Sequence, residues 1–248
     1  MTASISIADP TRPKRVLLVA SNPSVSAQTG WPIGFWWAEL THPYWELTEH
    51  GYEVTIASPD GGAIVPDAYS DPEDPSGYSA DDLISLGFKH NPATAALIEE
   101  TLPLADVDLD EYDAVFLAGG QAPMYTFVDD ERVHRVVRES FDAGKPTAIV
   151  CHATAVLLTA TTGDGTLVVD GKTWTGFADA EEAVADEAVG QRIQPFWIEE
   201  EARKLDGTNF IVNSPFRSFA VRDGNLITGQ QQHSGAAAAR LIIEALGV

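Results

Sequence analysis

The sequence predicts an α/β fold: a doubly wound, mostly parallel sheet with helices on both faces and a sharp turn that presents a nucleophile. Three observations support this prediction. Short apolar runs alternate along the chain with segments of helical length. These runs are continuous, which is typical of parallel strands that are buried on both faces. One run leads directly into a cysteine and an alanine- and leucine-rich segment, as a strand followed by a buried helix would.

The chain begins with a polar, proline-containing stretch over residues 1–13, which we interpret as a flexible tail. Residues 14–248 then have the length and the apolar content of one domain, since 44% of the chain is hydrophobic. Residues 15–21 are the first predicted strand. A helix is predicted over residues 35–49 with a glycine stop shortly after it, and a second strand over residues 52–59.

A polar segment over residues 63–91 interrupts this alternation and is rich in aspartate and proline. It is too long for an ordinary connection. We interpret it as an inserted cap or loop that covers a pocket or packs on a partner subunit, and the alternative is a surface insertion without a role.

The second half of the chain returns to alternating strands and helices. Asp170-Gly171 separates two β-rich runs, residues 167–169 and 173–175, and predicts a type I′ hairpin. The other predicted elements are a helix over 92–102, a strand over 112–118, a helix over 132–143, a strand that ends at Val150, helices over 181–189 and 199–204, strands over 210–212, 219–221 and 226–229, and a helix over 234–246.

Cys151 is the only cysteine in the chain and follows the strand that ends at Val150. At such a turn the free N–H groups of the helix and the helix dipole favour a thiolate, so the sequence predicts a nucleophile elbow with a thiol of lowered pKa. The alternative is that a lone cysteine is a small buried hydrophobe. His152 directly after it favours the nucleophile. A single cysteine also excludes an internal disulfide, which fits a cytoplasmic protein.

Two further features are candidates for the same site. Gly119 and Gly120 end a predicted strand, where they permit positive φ and bring backbone N–H groups close to a ligand, so with Gln121 after them they are a candidate oxyanion and substrate-binding turn. Glu39 lies among aromatic and aliphatic residues of the first predicted helix. It is either a solvated residue, which the pattern alone favours, or a buried acid of raised pKa.

The composition limits the kinds of molecule that the protein is expected to bind. There are 15 Lys and Arg residues against 37 Asp and Glu residues, which gives a net charge of −22 and disfavours nucleic acid and anionic membranes. The acidic residues are spread along the chain, as on a salt-adapted surface or on an ordinary acidic protein. No run is long enough to span a membrane. No GxGxxG opens a helix and no metal-ligand spacing occurs, so we expect no cofactor and no metal.

Three motifs together resemble the ThiJ/PfpI superfamily of class I glutamine amidotransferase-like proteins, and within it the glyoxalase III-like and stress-chaperone branch. The resemblance runs from about Val16 to the C-terminus and implies a flavodoxin-like fold, a homodimer and a small reactive aldehyde as substrate. The motifs are Cys151-His152, Ala118-Gly119-Gly120 and the stretch Thr-Gly-Phe-Ala-Asp-Ala-Glu-Glu over residues 175–182.

The resemblance also implies roles by position. Glu182 takes the place of the acid that orients the histidine, while Asp179 and Glu181 are alternatives on spacing alone. Glu39, followed by His42-Pro43, matches a glutamate that hydrogen-bonds the cysteine. Adjacent residues do not face each other on a helix, so we expect Glu39 rather than His152 to transfer the proton.

The implied activity is a glutathione-independent glyoxalase, a lyase of the D-lactate dehydratase type that converts methylglyoxal-like 2-oxoaldehydes to 2-hydroxy acids and extends to deglycation. The alternative is a stress-response chaperone or a sensor whose cysteine is oxidised. The chain departs from the branch at Gln121, where a histidine is usual, and at Ala153, where a glycine is usual. In true glutamine amidotransferases a histidine at the place of His233 serves as the base. The Pro-Glu that should follow it is absent here, so the resemblance to those enzymes is weaker.

Overall fold

The computed structural model describes residues 12–247, so most of the predicted tail lies outside the described residues. The strands are β1 (Arg15–Val19), β2 (Ser24–Val25), β3 (Pro32–Ile33), β4 (Glu53–Ser58), β5 (Leu102–Pro103), β6 (Ala114–Leu117), β7 (Thr147–Val150), β8 (Thr173–Trp174), β9 (Asn209–Phe210), β10 (Ala220–Asp223) and β11 (Leu226–Gly229). The helices are α1 (Trp37–Glu49), α2 (Leu83–His90), α3 (Pro92–Glu99), α4 (Pro123–Thr126), α5 (Glu131–Asp142), α6 (Asp179–Val189), α7 (Ile198–Ala202) and α8 (Gly235–Leu246).

The central sheet has seven strands in the order β10-β11-β7-β6-β1-β4-β5. Every neighbouring pair is parallel except β10 and β11, which form an antiparallel hairpin at one edge. The chain moves from β1 through α1 to β4 in one direction and from β6 through α5 to β7 in the other. Because such crossovers are right-handed, α1 and α5 lie on opposite faces. The predicted doubly wound, flavodoxin-like fold is confirmed.

The core follows from the apolar runs. The residues of β6, the four after Arg15 in β1 and the last three of β7 are fully buried, as expected for strands covered on both faces. On α5, Val133, Val136 and Val137 share one buried face at helical spacing. On the other side of the sheet α8 packs along α1 and against β7 and β11. The sheet therefore holds the carboxyl ends of β1, β6 and β7 at one edge, which is where doubly wound folds bind ligands.

The predicted hairpin around Asp170 is wrong. Residues 168–171 do form a turn, but β8 after it pairs in parallel with β9, about thirty-five residues further along the chain. Trp174 is fully buried and its ring packs edge-on against Phe210 at 4.7 Å. Val168 and Val169 are also buried. Burial of these large apolar side chains therefore outweighs the local preference of the Asp-Gly turn for a hairpin.

The inserted segment over residues 63–91 is more ordered than its sequence indicates. It contains a 3₁₀ helix, Ala68–Ser70, and the helix α2, whose N-cap Asp82 accepts a hydrogen bond from the Ser85 N–H. Phe88 of α2 packs edge-on against Trp37 and Tyr44 of α1. The insertion thus covers the helix that carries Glu39. Among residues 12–247, no helix combines the length and the apolar content that crossing a membrane requires.

Candidate active site

Cys151 lies at the carboxyl end of β7 in a strained backbone conformation. Its φ is 55°, in the left-handed region that residues with a side chain seldom adopt and that typically costs about 1–3 kcal/mol. The predicted buried helix begins at this residue and is a 3₁₀ helix, Cys151–Leu158. Thr154 Oγ1 donates a hydrogen bond to the Cys151 carbonyl at 2.6 Å and closes the turn. This is the geometry of a nucleophile elbow.

The strained turn brings together two side chains that a regular helix would separate. The Cys151 Sγ lies 3.4 Å from Nδ1 of His152, and Nε2 of His152 donates to Oε1 of Glu182 at 3.1 Å. The His152 ring also stacks on Phe177, with 4.1 Å between ring centres. Burial lowers the pKa of His152, but the charge and hydrogen bond of Glu182 outweigh burial, and the pKa is raised. The donation to Glu182 leaves Nδ1 of the neutral ring facing the sulfur as an acceptor.

The two acids that share the spacing of Glu182 have other partners. Glu181 accepts hydrogen bonds from the backbone N–H groups of Ala178 and Phe216 and from the Gln230 side chain, so it anchors three segments. Asp179 begins α6, and its own N–H donates to Glu199. The geometry therefore brings Glu182, and neither alternative, to the histidine.

Glu39 is fully buried in the first turn of α1. The solvated position that the pattern alone favours is wrong, because α1 packs into the core at this turn. Oε2 of Glu39 accepts a hydrogen bond from the Gly119 N–H at 2.8 Å, and Oε1 has no hydrogen-bond partner. Burial raises the pKa of Glu39 to about 7, although interactions with Cys151, His152 and Gly119 oppose the rise. A carboxyl of this pKa can both release and accept a proton near neutral pH.

The thiol itself does not have the lowered pKa that the sequence predicts. Cys151 is only 2% exposed, and burial raises its pKa well above the ordinary value. The adjacent Glu39 raises the pKa further through its charge, while the backbone N–H groups of His152 and Gly120 lower it by less. A 3₁₀ turn out of water therefore cannot by itself stabilise a thiolate next to a carboxylate. When Glu39 is protonated the repulsion is removed, so the two acids in effect share one proton.

The glycines of the predicted oxyanion turn have no room for a side chain. Gly120 has φ +109°, and a Cβ there would lie 2.5 Å from the Gly34 carbonyl oxygen and 2.6 Å from the Trp36 nitrogen. A Cβ on Gly119 would overlap Glu39 and Cys151. The turn therefore packs directly against Cys151 and against the chain that enters α1, and its N–H groups reach the site because no side chain intervenes.

Asp67 is a residue of the site that the sequence analysis missed. It comes from the insertion, is 1% exposed, and its two oxygens accept hydrogen bonds from the N–H groups of Gly34 and Gln121 at 2.9 and 2.6 Å. Burial raises its pKa to about 7. Asp67 thereby ties the turn at Gly120 to the chain that enters α1. The only local signal was an aspartate inside a long insertion, which does not identify a buried position.

A cavity of about 570 Å³ opens over the sulfur. Gly120, Gln121, Cys151, His152 and Glu182 line it, and most of the remaining lining is aromatic or aliphatic. In the part of the chain that the structure describes, no three His, Cys, Asp or Glu side chains are arranged to hold a metal ion.

Comparison with known proteins relates this site to one family. The family model described as DJ-1/PfpI matches residues 34–245. The chain is 24% identical to "Glyoxalase 3" of Candida albicans over 94% of this chain and 98% of that protein. It is 25% identical to "Glutathione-independent glyoxalase HSP31" of Saccharomyces cerevisiae over the same shares.

A solved structure gives the same result. The Rapid Encystment Protein of 24 kDa from Francisella tularensis superimposes with a TM-score of 0.83 and 26% identity, over 95% of this chain and all of that one. Because the family model covers most of the chain, including the elbow, the glycine turn and Glu39, the chain belongs to the DJ-1/PfpI family.

Proposed function

We propose that the chain is a glutathione-independent glyoxalase that converts 2-oxoaldehydes such as methylglyoxal to 2-hydroxy acids. The observation that carries the proposal is that Cys151 and His152 line one cavity while a buried Glu39 of pKa about 7 interacts with Cys151. The curated relatives that match over nearly the whole chain are named for this activity.

The first step is addition of Cys151 to the aldehyde. The sulfur bonds to the aldehyde carbon, and the carbonyl electron pair moves to oxygen. The N–H groups of Gly120 and His152, which face the sulfur, would stabilise that developing charge. The proton of the thiol passes by way of Glu39 or the Nδ1 of His152 to that oxygen, so the product is a hemithioacetal and Glu39 is ionised again.

The second step moves hydrogen between the two carbons. Ionised Glu39 removes the proton from the former aldehyde carbon, which gives an enediolate, and then returns a proton to the neighbouring carbon. The first carbon is thereby oxidised to a thioester and the second reduced to an alcohol, so no external oxidant or reductant is required. Water then hydrolyses the thioester, which releases the 2-hydroxy acid and the thiol.

The test is conversion of methylglyoxal by the purified full-length protein in the absence of glutathione. We expect enzymatic formation of lactate, and we expect Cys151→Ala to abolish it because no sulfur remains to form the thioester. Deglycation is tested with the same two proteins on a methylglyoxal-treated peptide. If no lactate appears, or if Cys151→Ala keeps the parent rate, the proposal is wrong.

A second candidate function is a stress chaperone, and the insertion favours it. Several of its large apolar side chains are exposed, namely Val65, Tyr69, Tyr78, Leu83 and Ile84. Exposed apolar patches often bind other chains. A client-aggregation assay tests this function. If Cys151→Ala still suppresses aggregation of the client, the chaperone function is supported. A sensor role instead requires that mild peroxide add two oxygens to Cys151, which mass spectrometry detects.

We also propose that the protein acts in the cytoplasm as a homodimer. A free thiol in the site is preserved by a reducing compartment. Exposed Leu83 and Ile84 of α2 are suited to a subunit contact. Sedimentation analysis tests the dimer, and a mass of one chain at micromolar concentration would exclude a stable one.

A further inference from the structure

We infer that the cavity over Cys151 selects neutral 2-oxoaldehydes with a bulky apolar substituent, an aryl or branched alkyl group, in preference to methylglyoxal. This inference rests on the proposed function, because it takes Cys151 as the residue that adds to the aldehyde. It concerns the part of the cavity that the reacting carbons do not occupy.

The size of the cavity is the first argument. Its volume is about 570 Å³, and cavities of about 300–1,000 Å³ typically hold drug-sized ligands. Methylglyoxal has only three carbons. It would occupy the floor beside Cys151 and leave most of the cavity filled with water, so most of the apolar lining would contribute nothing to its binding.

An aromatic wall is the second argument. The Tyr78 ring packs edge-on against Trp36 and Tyr69, with ring centres 6.0 and 6.3 Å apart, and Tyr69 packs in turn against Trp31. The Tyr78 hydroxyl accepts a hydrogen bond from the Gln232 side chain at 3.1 Å. Tyr78 is nevertheless 58% exposed. A fixed but exposed ring at a cavity is suited to stacking with an aromatic or branched substituent, which would remove it from water.

The helix α6 forms a second, aliphatic wall. The lining residues Glu182, Ala185 and Val189 follow one face of the helix at spacings of three and four residues. Glu182 contacts the histidine, and Val189 lies seven residues further on, about 10 Å along the axis at the usual helical rise. The apolar face therefore continues well beyond the reach of a methyl substituent.

The charges of the lining indicate a neutral substituent. Among the described residues that line the cavity there is no lysine or arginine, and the one carboxylate, Glu182, is hydrogen-bonded to His152. A carboxylate or phosphate on the substrate would have no cation to pair with.

The test compares phenylglyoxal with methylglyoxal as substrates of the full-length protein, followed as formation of mandelate and lactate. We expect kcat/KM for phenylglyoxal to be at least about tenfold higher, mainly through a lower KM, because the additional binding energy comes from the substituent. A parent protein that uses methylglyoxal as well as or better than phenylglyoxal would overturn the inference.

Two variants on α6 separate the cavity from intrinsic substrate reactivity. Ala188→Trp places an indole in the cavity from an exposed position, and we expect the ratio of the two kcat/KM values to fall at least about fivefold. Ala183→Trp is the matched control, since Ala183 is exposed on the same helix but does not line the cavity. Tyr78→Ala should also lower the ratio. An unchanged ratio in both Ala188→Trp and Tyr78→Ala would contradict the inference.

A binding measurement distinguishes failure of the inference from failure of the proposed function. Acetophenone and acetone are neutral ketones that do not undergo the reaction. Acetophenone should protect Cys151 from iodoacetamide at concentrations at least about tenfold lower than acetone. If the protein converts neither substrate but acetophenone still protects at lower concentration than acetone, the proposed function is wrong and the apolar selectivity stands. Equal protection by the two ketones overturns the selectivity.

Discussion

At the scale of single residues, the unusual feature is a thiol and a carboxyl that lie together out of water. Burial raises the pKa of Glu39 to about 7, and the charge of ionised Glu39 helps raise the pKa of Cys151 well above that value, so above pH 7 the pair still holds one proton. In the proposed reaction this proton moves from the thiol to Glu39, which gives a thiolate beside a protonated carboxyl. The proposed reaction depends on this coupling, because burial opposes ionisation of the Cys151 thiol.

The coupling predicts opposite effects of one substitution on reactivity and on turnover. Glu39→Gln removes the charge but keeps an acceptor for the Gly119 N–H, so iodoacetamide labelling of Cys151 at pH 8 should become about tenfold faster than in the parent. Conversion of methylglyoxal should fall at least about 100-fold, because an amide cannot accept a proton from carbon. Both rates are measured on the same preparations.

Two further variants complete this experiment. Glu39→Leu should lose turnover as well. Iodoacetamide should label its Cys151 more slowly than in Glu39→Gln, because leucine also removes the acceptor of the Gly119 N–H. Glu49→Gln, an exposed position on the same helix, should match the parent in both measurements. A parent thiol that titrates below the roughly 8.5 of a free cysteine, or a fully active Glu39→Gln, would separate Glu39 from the chemistry.

At the scale of elements, the insertion contributes to the site through Asp67. Its carboxylate joins two segments that are far apart in the sequence, the entry to α1 and the turn after β6, through two backbone hydrogen bonds. An exposed loop could not do this, because a buried charged acceptor binds N–H groups more strongly than a solvated one. The insertion is therefore a part of the framework that holds the Gly120 N–H in position.

Asp67→Asn is expected to disturb that framework. Asparagine has one acceptor oxygen, so its amide NH₂ would face one of the two N–H donors, at a cost of about 1–3 kcal/mol in the free energy of unfolding. We expect kcat for methylglyoxal to fall about tenfold or more, with a smaller change in KM, at a temperature where the variant remains folded. Asp71→Asn is the control, because that acid pairs with Lys89 at the surface of the insertion. An Asp67→Asn protein with the parent kcat would show that the turn holds without it.

At the scale of the whole molecule, the buried acids make stability depend on pH. Glu39 and Asp67 have pKa values of about 7 in the folded chain, above their ordinary values of 4.5 and 3.8. Between these values the folded chain binds more protons than the unfolded chain, so stability falls as the pH rises and the fall is complete above about 7. A tenfold change in proton affinity corresponds to about 1.4 kcal/mol, so each group costs on the order of 3 kcal/mol in alkaline solution.

Urea unfolding at constant ionic strength measures this dependence. The midpoint should be lower at pH 8.5 than at pH 5.5, and Glu39→Gln should reduce the difference because the neutral amide does not ionise. It should also be more stable than the parent at pH 8.5, because no buried charge forms in the variant. Glu49→Gln should keep the full difference. Identical pH dependence in the parent and in Glu39→Gln would show that Glu39 does not titrate as described.

The sequence alone was sufficient for the architecture and for the position of Cys151 at the end of a strand. Continuous apolar runs, glycines at strand ends and a cysteine between a strand and an apolar segment are local patterns, and local patterns determine which elements form. The approach of Glu182 to His152 followed from the family's motif. The hairpin at Asp170 failed because the burial of Trp174, which depends on β9, outweighs the local turn preference.

Only the tertiary structure decided the state of the acids. The Glu39 carboxyl meets the Gly119 N–H across 80 residues of chain, and Asp67 meets the Gln121 N–H across 54. Burial raises the pKa of each group, and burial is a property of the packed molecule that no short stretch of sequence contains. For the same reason the sequence predicted a thiol of lowered pKa from its position at a turn, while the folded chain raises that pKa by removing water and placing Glu39 beside the sulfur.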